Sequence, residues 1–191
     1  MDRQLVQRSQ RGDLEAFSQL VEAHQDAMYH LAWKMLGSPT DAADVVQEAF
    51  LRALRGLGEF HGKSSFRTWL YRITVHCCLN HLRHRQRRPE AEYFDEVAHT
   101  EAGGGEIRLQ GQVPRPDTAA ELGDLRAAID AALGELSPGH RLTFVLREYN
   151  GLSYKEIADV TGVSLGTVMS RLHYARNRLQ QLLVEFKPEV C

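Results

Sequence analysis

Apolar positions recur three and four residues apart along most of the first 88 residues, the spacing that sets them on one face of a helix. After Asp13 they are Leu14, Phe17, Leu20 and Val21, and the stripe continues through Met28, Leu31, Ala32 and Met35. Gly37-Ser38-Pro39 interrupts it, and Thr40 or Asp41 is placed to cap a further helix over residues 42–54. In that helix Val45, Ala49 and the segment from Leu51 to Leu54 are expected to be buried, with Asp41, Asp44, Gln47 and Glu48 on the polar side. A break from Gly56 to Gly62 precedes another helix, opened by Ser64 or Ser65, whose stripe is Phe66, Trp69, Leu70, Ile73 and Cys77. No segment alternates convincingly with period two, so four helices with short breaks predict an α-bundle.

From residue 89 the pattern stops. Pro89, the triplet Gly103-Gly104-Gly105, Gly111, Pro114 and Pro116 punctuate a stretch rich in acid and poor in aliphatic residues. Such a segment buries too little to offset its ordering entropy, and reads as a flexible linker over residues 89–118. Helical periodicity returns with Leu122, Leu125, Ile129, Leu133 and Leu136. Ser137-Pro138-Gly139 is expected to end that helix, and a helix carrying Leu142, Val145 and Leu146 follows. The fold expected is therefore all-α: an N-terminal helix bundle over 1–88 and a second small helical domain over 119–187.

The most specific local signal lies between Ser153 and Leu183. Ser153-Tyr154-Lys155-Glu156 has the form of a capping box. Ala158, Gly162 and Val168 follow at spacings of four and six, as a helix-turn-helix requires: a small residue at the helix contact, a glycine in the turn, and an apolar residue packing back. Ser164 can cap the second helix, which is expected to hide Leu165, Val168, Leu172, Ala175, Leu179 and Leu182. The face left over carries Gly166, Thr167, Met169, Ser170, His173, Tyr174 and Asn177, flanked by Arg171, Arg176 and Arg178. A recognition helix needs that division, one face packed and the other reaching base edges and phosphates.

Charge sharpens the picture only when counted by segment. The formal net charge is −2, but residues 1–88 carry 13 Lys+Arg against 9 Asp+Glu, and residues 89–121 carry 2 against 8. From Lys63 to Arg88 there are seven Lys+Arg and no acid. A single-sign run of that kind reads as a surface for a polyanion. The opening Met1-Asp2-Arg3-Gln4 begins a polar segment without a signal-peptide core, and no apolar run approaches the ~18 residues of a membrane helix, so a cytoplasmic location without membrane contact is expected. Three cysteines, two adjacent, make no disulfide framework. No phosphate-cradling loop, zinc-protease motif or nucleophile elbow is present, so no enzymatic activity and no cofactor are expected.

The order of parts carries a family resemblance. The segment from Asp41 to Leu54 (DAADVVQEAFLRAL) is followed by Phe66-Arg67-Thr68-Trp69-Leu70-Tyr71-Arg72-Ile73, then Asn80-His81-Leu82-Arg83 and the basic tail from Arg85 to Arg88. This closely resembles the second conserved region of extracytoplasmic-function (ECF) sigma factors. Gly151-Leu152-Ser153-Tyr154-Lys155-Glu156-Ile157-Ala158 resembles their fourth region, and only the linker falls outside the likeness. The resemblance implies that Asp41, Asp44, Gln47, Glu48 and Arg52 dock on the clamp coiled coil of core RNA polymerase. It implies that Phe60, His61, Lys63, Ser64, Ser65, Arg67, Arg72, His76, Asn80 and Arg83 meet the minus-ten promoter element. Ser164, Gly166, Thr167, Met169, Ser170, Arg171, His173, Tyr174 and Arg176 would meet the minus-thirty-five element. Control by an anti-sigma factor is implied as well. Phe66, Trp69 and Ile73 are expected in the core rather than as stacking platforms.

Arg72, His76, Asn80 and Arg83 are spaced four, four and three, and so share one helix face. The two promoter elements lie roughly 80 Å apart along the duplex. A relaxed coil of about 30 residues spans only ~30 Å and a stretched one ~100 Å, so the linker must be held extended for both domains to engage. Two alternatives stay open: a dimerising helix-turn-helix regulator that binds DNA without polymerase, and a metal- or thiol-sensing protein built on His76, Cys77, Cys78 and His81. Against the second, Cys77 continues the apolar stripe, and adjacent cysteines point about 100° apart on a helix.

Overall fold

The computed structural model describes residues 2–86 and 119–184, every regular element of which is helical. The linker, the basic residues Arg87 and Arg88, and Cys191 lie outside them. The order is α1 (Asp2–Gln10), α2 (Leu14–Leu36), α3 (Pro39–Gly56), a 3-10 turn (Leu57–Glu59), α4 (Phe66–Gln86), α5 (Ala119–Gly134), α6 (Pro138–Glu148), α7 (Tyr154–Thr161) and α8 (Leu165–Leu182).

Local chemistry explains most of the boundaries. Asp13 caps α2 by accepting from the Ala16 amide at 3.0 Å. Gly37 closes that helix in the left-handed region, φ 70°, with its N–H on the Trp33 carbonyl. The next helix starts earlier than expected: Ser38, not Thr40 or Asp41, is the cap, and Pro39 takes the first helical position, where its missing N–H costs nothing. Ser65 caps α4 through the Thr68 amide. Ser137-Pro138-Gly139, expected to end α5, instead begins α6: the earlier helix already stops at Gly134, and Ser137 takes the N-cap with Pro138 at the start. The opening residues, expected only as a polar segment, form α1 and bury Leu5 and Val6.

Helices α1–α4 pack as the expected bundle. The two halves also pack on each other, α4 against α7 and α2 against α6. One continuous core joins Met28, Leu31 and Met35 of α2, Leu70 and Val75 of α4, Leu142, Val145 and Leu146 of α6, and Ile157 and Val160 of α7. A smaller cluster joins Ala132, Leu133 and Leu136 to Ala175 and Leu179 of α8. Polar contacts rim the junction: Asn150 Nδ2 donates to the Ala27 carbonyl at 3.3 Å, Arg141 Nη1 donates to that of Met35 at 3.0 Å, and Lys34 pairs with Asp130. The Lys34–Asp130 pair is partly buried and contributes on the order of 1 kcal/mol, so the apolar contacts dominate.

Candidate nucleic-acid interface

The helix-turn-helix forms as its residues require. The Ser153 N–H donates to Glu156 Oε2 at 2.8 Å, while Ser153 Oγ accepts from the Glu156 amide at 3.3 Å, a reciprocal capping box. The Ser153 backbone N–H and hydroxyl hold the Glu156 carboxyl below its ordinary pKa. Gly162 turns the chain at φ 74°, and Val168 packs back into the same core as Ile157, both without exposed surface. Ser164 caps α8 through the Thr167 amide at 3.1 Å.

Helix α8 buries Val168, Leu172, Ala175 and Leu179 and leaves Gly166, Met169, Ser170, His173 and Tyr174 exposed. Thr167, Arg171 and Arg176 sit at the margin, half-buried. Leu165 departs from expectation and is 47% exposed. It occupies the first helical position, and Val168 is the first residue of α8 to be buried.

On α4, Arg67, Arg72, His76 and Arg83 are exposed and Asn80 is half-buried, with Arg83 Nη1 donating to Asn80 Oδ1 at 3.3 Å. The preceding loop is anchored by Gln10, whose Nε2 donates to the carbonyls of Leu57 and Phe60. His61 and Lys63 are exposed there, and Ser64 is half-buried. The Phe60 ring lies 4.9 Å from Trp69 and 6.2 Å from Phe66, centroid to centroid, so it belongs to an aromatic cluster. Phe66 is buried, whereas Trp69 and Ile73 are half-buried. The stripe expected on α4 is incomplete, because Tyr71, Thr74 and Cys78 are also buried: this helix is covered on more than one side.

Asp41, Asp44, Glu48 and Arg52 run along one side of α3 at spacings of three, four and four. Arg52 Nε donates to Glu48 Oε1 at 2.6 Å, which raises the guanidinium pKa. Asp41 Oδ2 lies 3.4 Å from His81 Nε2 and 3.5 Å from Arg85 Nη1. Gln47 borders a groove between α2 and α3 lined by Phe17, Val21, Tyr29, Val46 and Phe50. Leu51 and Leu54, expected in the core, are 41% and 37% exposed at this groove. The buried stripe of α3 is instead Ala42, Val45, Val46, Ala49, Phe50 and Ala53.

Two family profiles match this chain: Sigma-70 region 2 over residues 20–88 and Sigma-70, region 4 over residues 126–179. The chain is 37% identical to the ECF RNA polymerase sigma-E factor of Escherichia coli strain K12, across 95% of this chain and 96% of that protein. It belongs to the ECF sigma factors. The solved structure of CnrH in complex with the cytosolic domain of CnrY has a TM-score of 0.70 and 30% identity, covering 96% of this chain and 97% of that one. That of the sigma factor RpoE in complex with the anti-sigma factor NepR, from Bartonella quintana, has a TM-score of 0.64 and 27% identity, covering 88% and 96%.

Within this sigma factor the junction between the halves engages two of the candidate promoter residues. Arg67 Nη2 donates to the Asn150 carbonyl at 2.7 Å, and Arg72 donates from both Nε and Nη2 to that of Asp159. Neither contact leaves a trace in local sequence, because each acceptor is a backbone oxygen more than eighty residues away. No functional role was expected of α6, yet its Gly139, His140 and Glu148 touch Arg171, Tyr174 and Arg176 of α8. The cysteines sit apart from these surfaces. Cys77 and Cys78 are buried, and burial raises both thiols, that of Cys78 to about 12. Among the described residues no group of three or more His, Cys, Asp or Glu is placed to hold a metal ion, and no helix is long and apolar enough to cross a membrane.

Proposed function

We propose that this sigma factor binds core RNA polymerase in the cytoplasm and directs it to a specific promoter set, without an enzymatic step of its own and under control of an anti-sigma factor. Residues 1–88 act as the polymerase and minus-ten module, 119–187 as the minus-thirty-five module, and 89–118 as the linker. On α3, Asp41, Asp44, Gln47, Glu48 and Arg52 meet the polymerase. The apolar groove beside Gln47 supports a protein rather than a nucleic-acid neighbour on that side.

The minus-ten surface runs from Phe60 to Arg83. Unstacking a base step costs a few kcal/mol, and capture of an exposed base on an aromatic surface returns about 1–3 kcal/mol while cations hold the backbone. The outer face of α8, from Ser164 to Arg176, reads the minus-thirty-five element in the major groove. Because Arg67 and Arg72 are engaged by carbonyls of the second domain, promoter binding requires the two halves to separate. Control by an anti-sigma factor rests on the likeness to RpoE, solved with the anti-sigma factor NepR.

The observation that carries this reading is one chain presenting two nucleic-acid surfaces: a basic face without acids on α4 and a polar face on a capped helix-turn-helix. A titration of sigma-free core polymerase with the labelled protein tests it. Saturable binding is expected, weakened at least tenfold by reversing charge at Asp44→Lys and Glu48→Lys. Tight sequence-specific DNA binding without polymerase, and no binding to core, would favour a self-sufficient regulator.

A further inference from the structure

Three polar side chains of α8, Arg171, Tyr174 and Arg176, each meet a residue of α6. The His140 ring lies 4.3 Å from that of Tyr174, tilted by 33°. The Arg171 guanidinium packs over Gly139 so closely that a Cβ there would stand 3.3 Å from its Cζ. Glu148 Oε1 accepts from Arg176 Nη2 at 2.7 Å. Gly139 and His140 lie in the first turn of α6 and Glu148 is its last residue, so the contacts come from both ends of a helix that packs on α8.

We infer that α6 is a positioning element for promoter reading: Gly139, His140 and Glu148 hold Arg171, Tyr174 and Arg176 in the rotamers that meet the minus-thirty-five element. The inference rests on the assignment of α8 as the reader. Free in solution, a long arginine explores many rotamers, and fixing it on DNA costs entropy that a side chain already held does not lose again. The first turn of α6 is itself fixed for the task. Ser137 Oγ accepts from the His140 amide at 3.5 Å and lies 2.6 Å from the ring Nδ1, which fixes the plane that meets Tyr174. Burial, and then the nearby Arg171, hold the imidazole below its ordinary pKa, so the ring facing Tyr174 is neutral at physiological pH. The absence of a side chain at residue 139 leaves the room that Arg171 occupies. Glu148 has a second effect: burial works against the charge of Arg176, and the Glu148 hydrogen bond and charge outweigh it.

The test uses holoenzyme reconstituted with the full chain and promoters selected from a random pool. Each selected promoter is compared with a partner of identical minus-ten sequence and scrambled minus-thirty-five sequence. The readout is the ratio of initiation from the two, which a general loss of folded protein leaves unchanged. His140→Ala, Gly139→Ala and Glu148→Ala are each expected to lower that ratio about two- to tenfold, the range for ordering one rotamer-rich side chain. His140→Phe, which retains the ring but loses the Ser137 contact, is expected to restore it in part. Variants that discriminate as well as the unaltered protein would overturn the inference and leave the promoter reading standing. An unaltered holoenzyme indifferent to the scrambling would overturn both.

Discussion

Arg72 on α4 places its Nε 3.1 Å and its Nη2 2.8 Å from the backbone oxygen of Asp159 on α7. The same guanidinium heads the row continued by His76, Asn80 and Arg83. A cation that the proposed function assigns to the promoter backbone is thus engaged by a carbonyl of the other half of the molecule, and on that reading the two acceptors compete for it.

The junction should yield to polar substitutions that leave Arg72 in place. Asp130→Lys sets two cations together where Lys34 now pairs with a carboxylate, and Asn150→Ala removes the bond to the Ala27 carbonyl. Each change is worth about 1 kcal/mol, so the pair should shift the closed-to-open ratio by about tenfold or more. Small-angle scattering should report a larger radius of gyration, and amide exchange should quicken near Asp159. An unchanged radius would mean that the apolar core alone holds the halves together.

Arg72→Ala should leave affinity for core polymerase unchanged while weakening promoter binding by the holoenzyme about tenfold. The loss of one phosphate contact should also lower the slope of log affinity against log salt by about one. An unchanged salt slope would remove Arg72 from the DNA surface.

The capping box supplies a stability test with a defined pH dependence. Ser153→Ala should cost about 1 kcal/mol. Glu156 has a folded pKa below its ordinary value of 4.5, held down first by the Ser153 backbone N–H. The unfolded chain therefore binds the proton more readily. The stabilisation is complete above the ordinary value and is lost as pH falls through the folded one. Thermal melts of Glu156→Gln and the unaltered protein should differ at pH 7 and draw together as pH falls below the ordinary carboxyl value and through the folded one.

Thiol chemistry separates this account from a sensor. With Cys191→Ser removing the thiol outside the described residues, a colorimetric thiol reagent at pH 8 should label the folded protein slowly and find two thiols after denaturation. Burial of Cys77 and Cys78 raises both pKa values and leaves little thiolate. Fast labelling of the folded protein would revive a redox role for this pair.

Features set by neighbours in sequence were legible before the structure was known. The Ser153–Glu156 box and Gly162 act through bonds to residues three or four positions away, and each forms as expected. Where burial depends on a distant surface, periodicity misleads. Leu51 and Leu54 follow the apolar spacing yet border an open groove, and Leu165 precedes the first buried position of α8. Pro39 was the overlooked signal for the start of α3, since a proline at the first helical position makes the preceding Ser38 the cap. The contacts of Arg67 and Arg72, and the support that α6 lends α8, were beyond any local pattern because they join residues far apart in the chain.

The central claim is most directly tested by adding the purified protein to sigma-free bacterial core polymerase with a pool of random promoter fragments, then sequencing the transcripts. The account predicts specific initiation from fragments sharing two spaced elements, lost when Asp44 and Glu48 are reversed to lysine. Tight sequence-specific binding in the absence of polymerase, with no initiation in its presence, would contradict it.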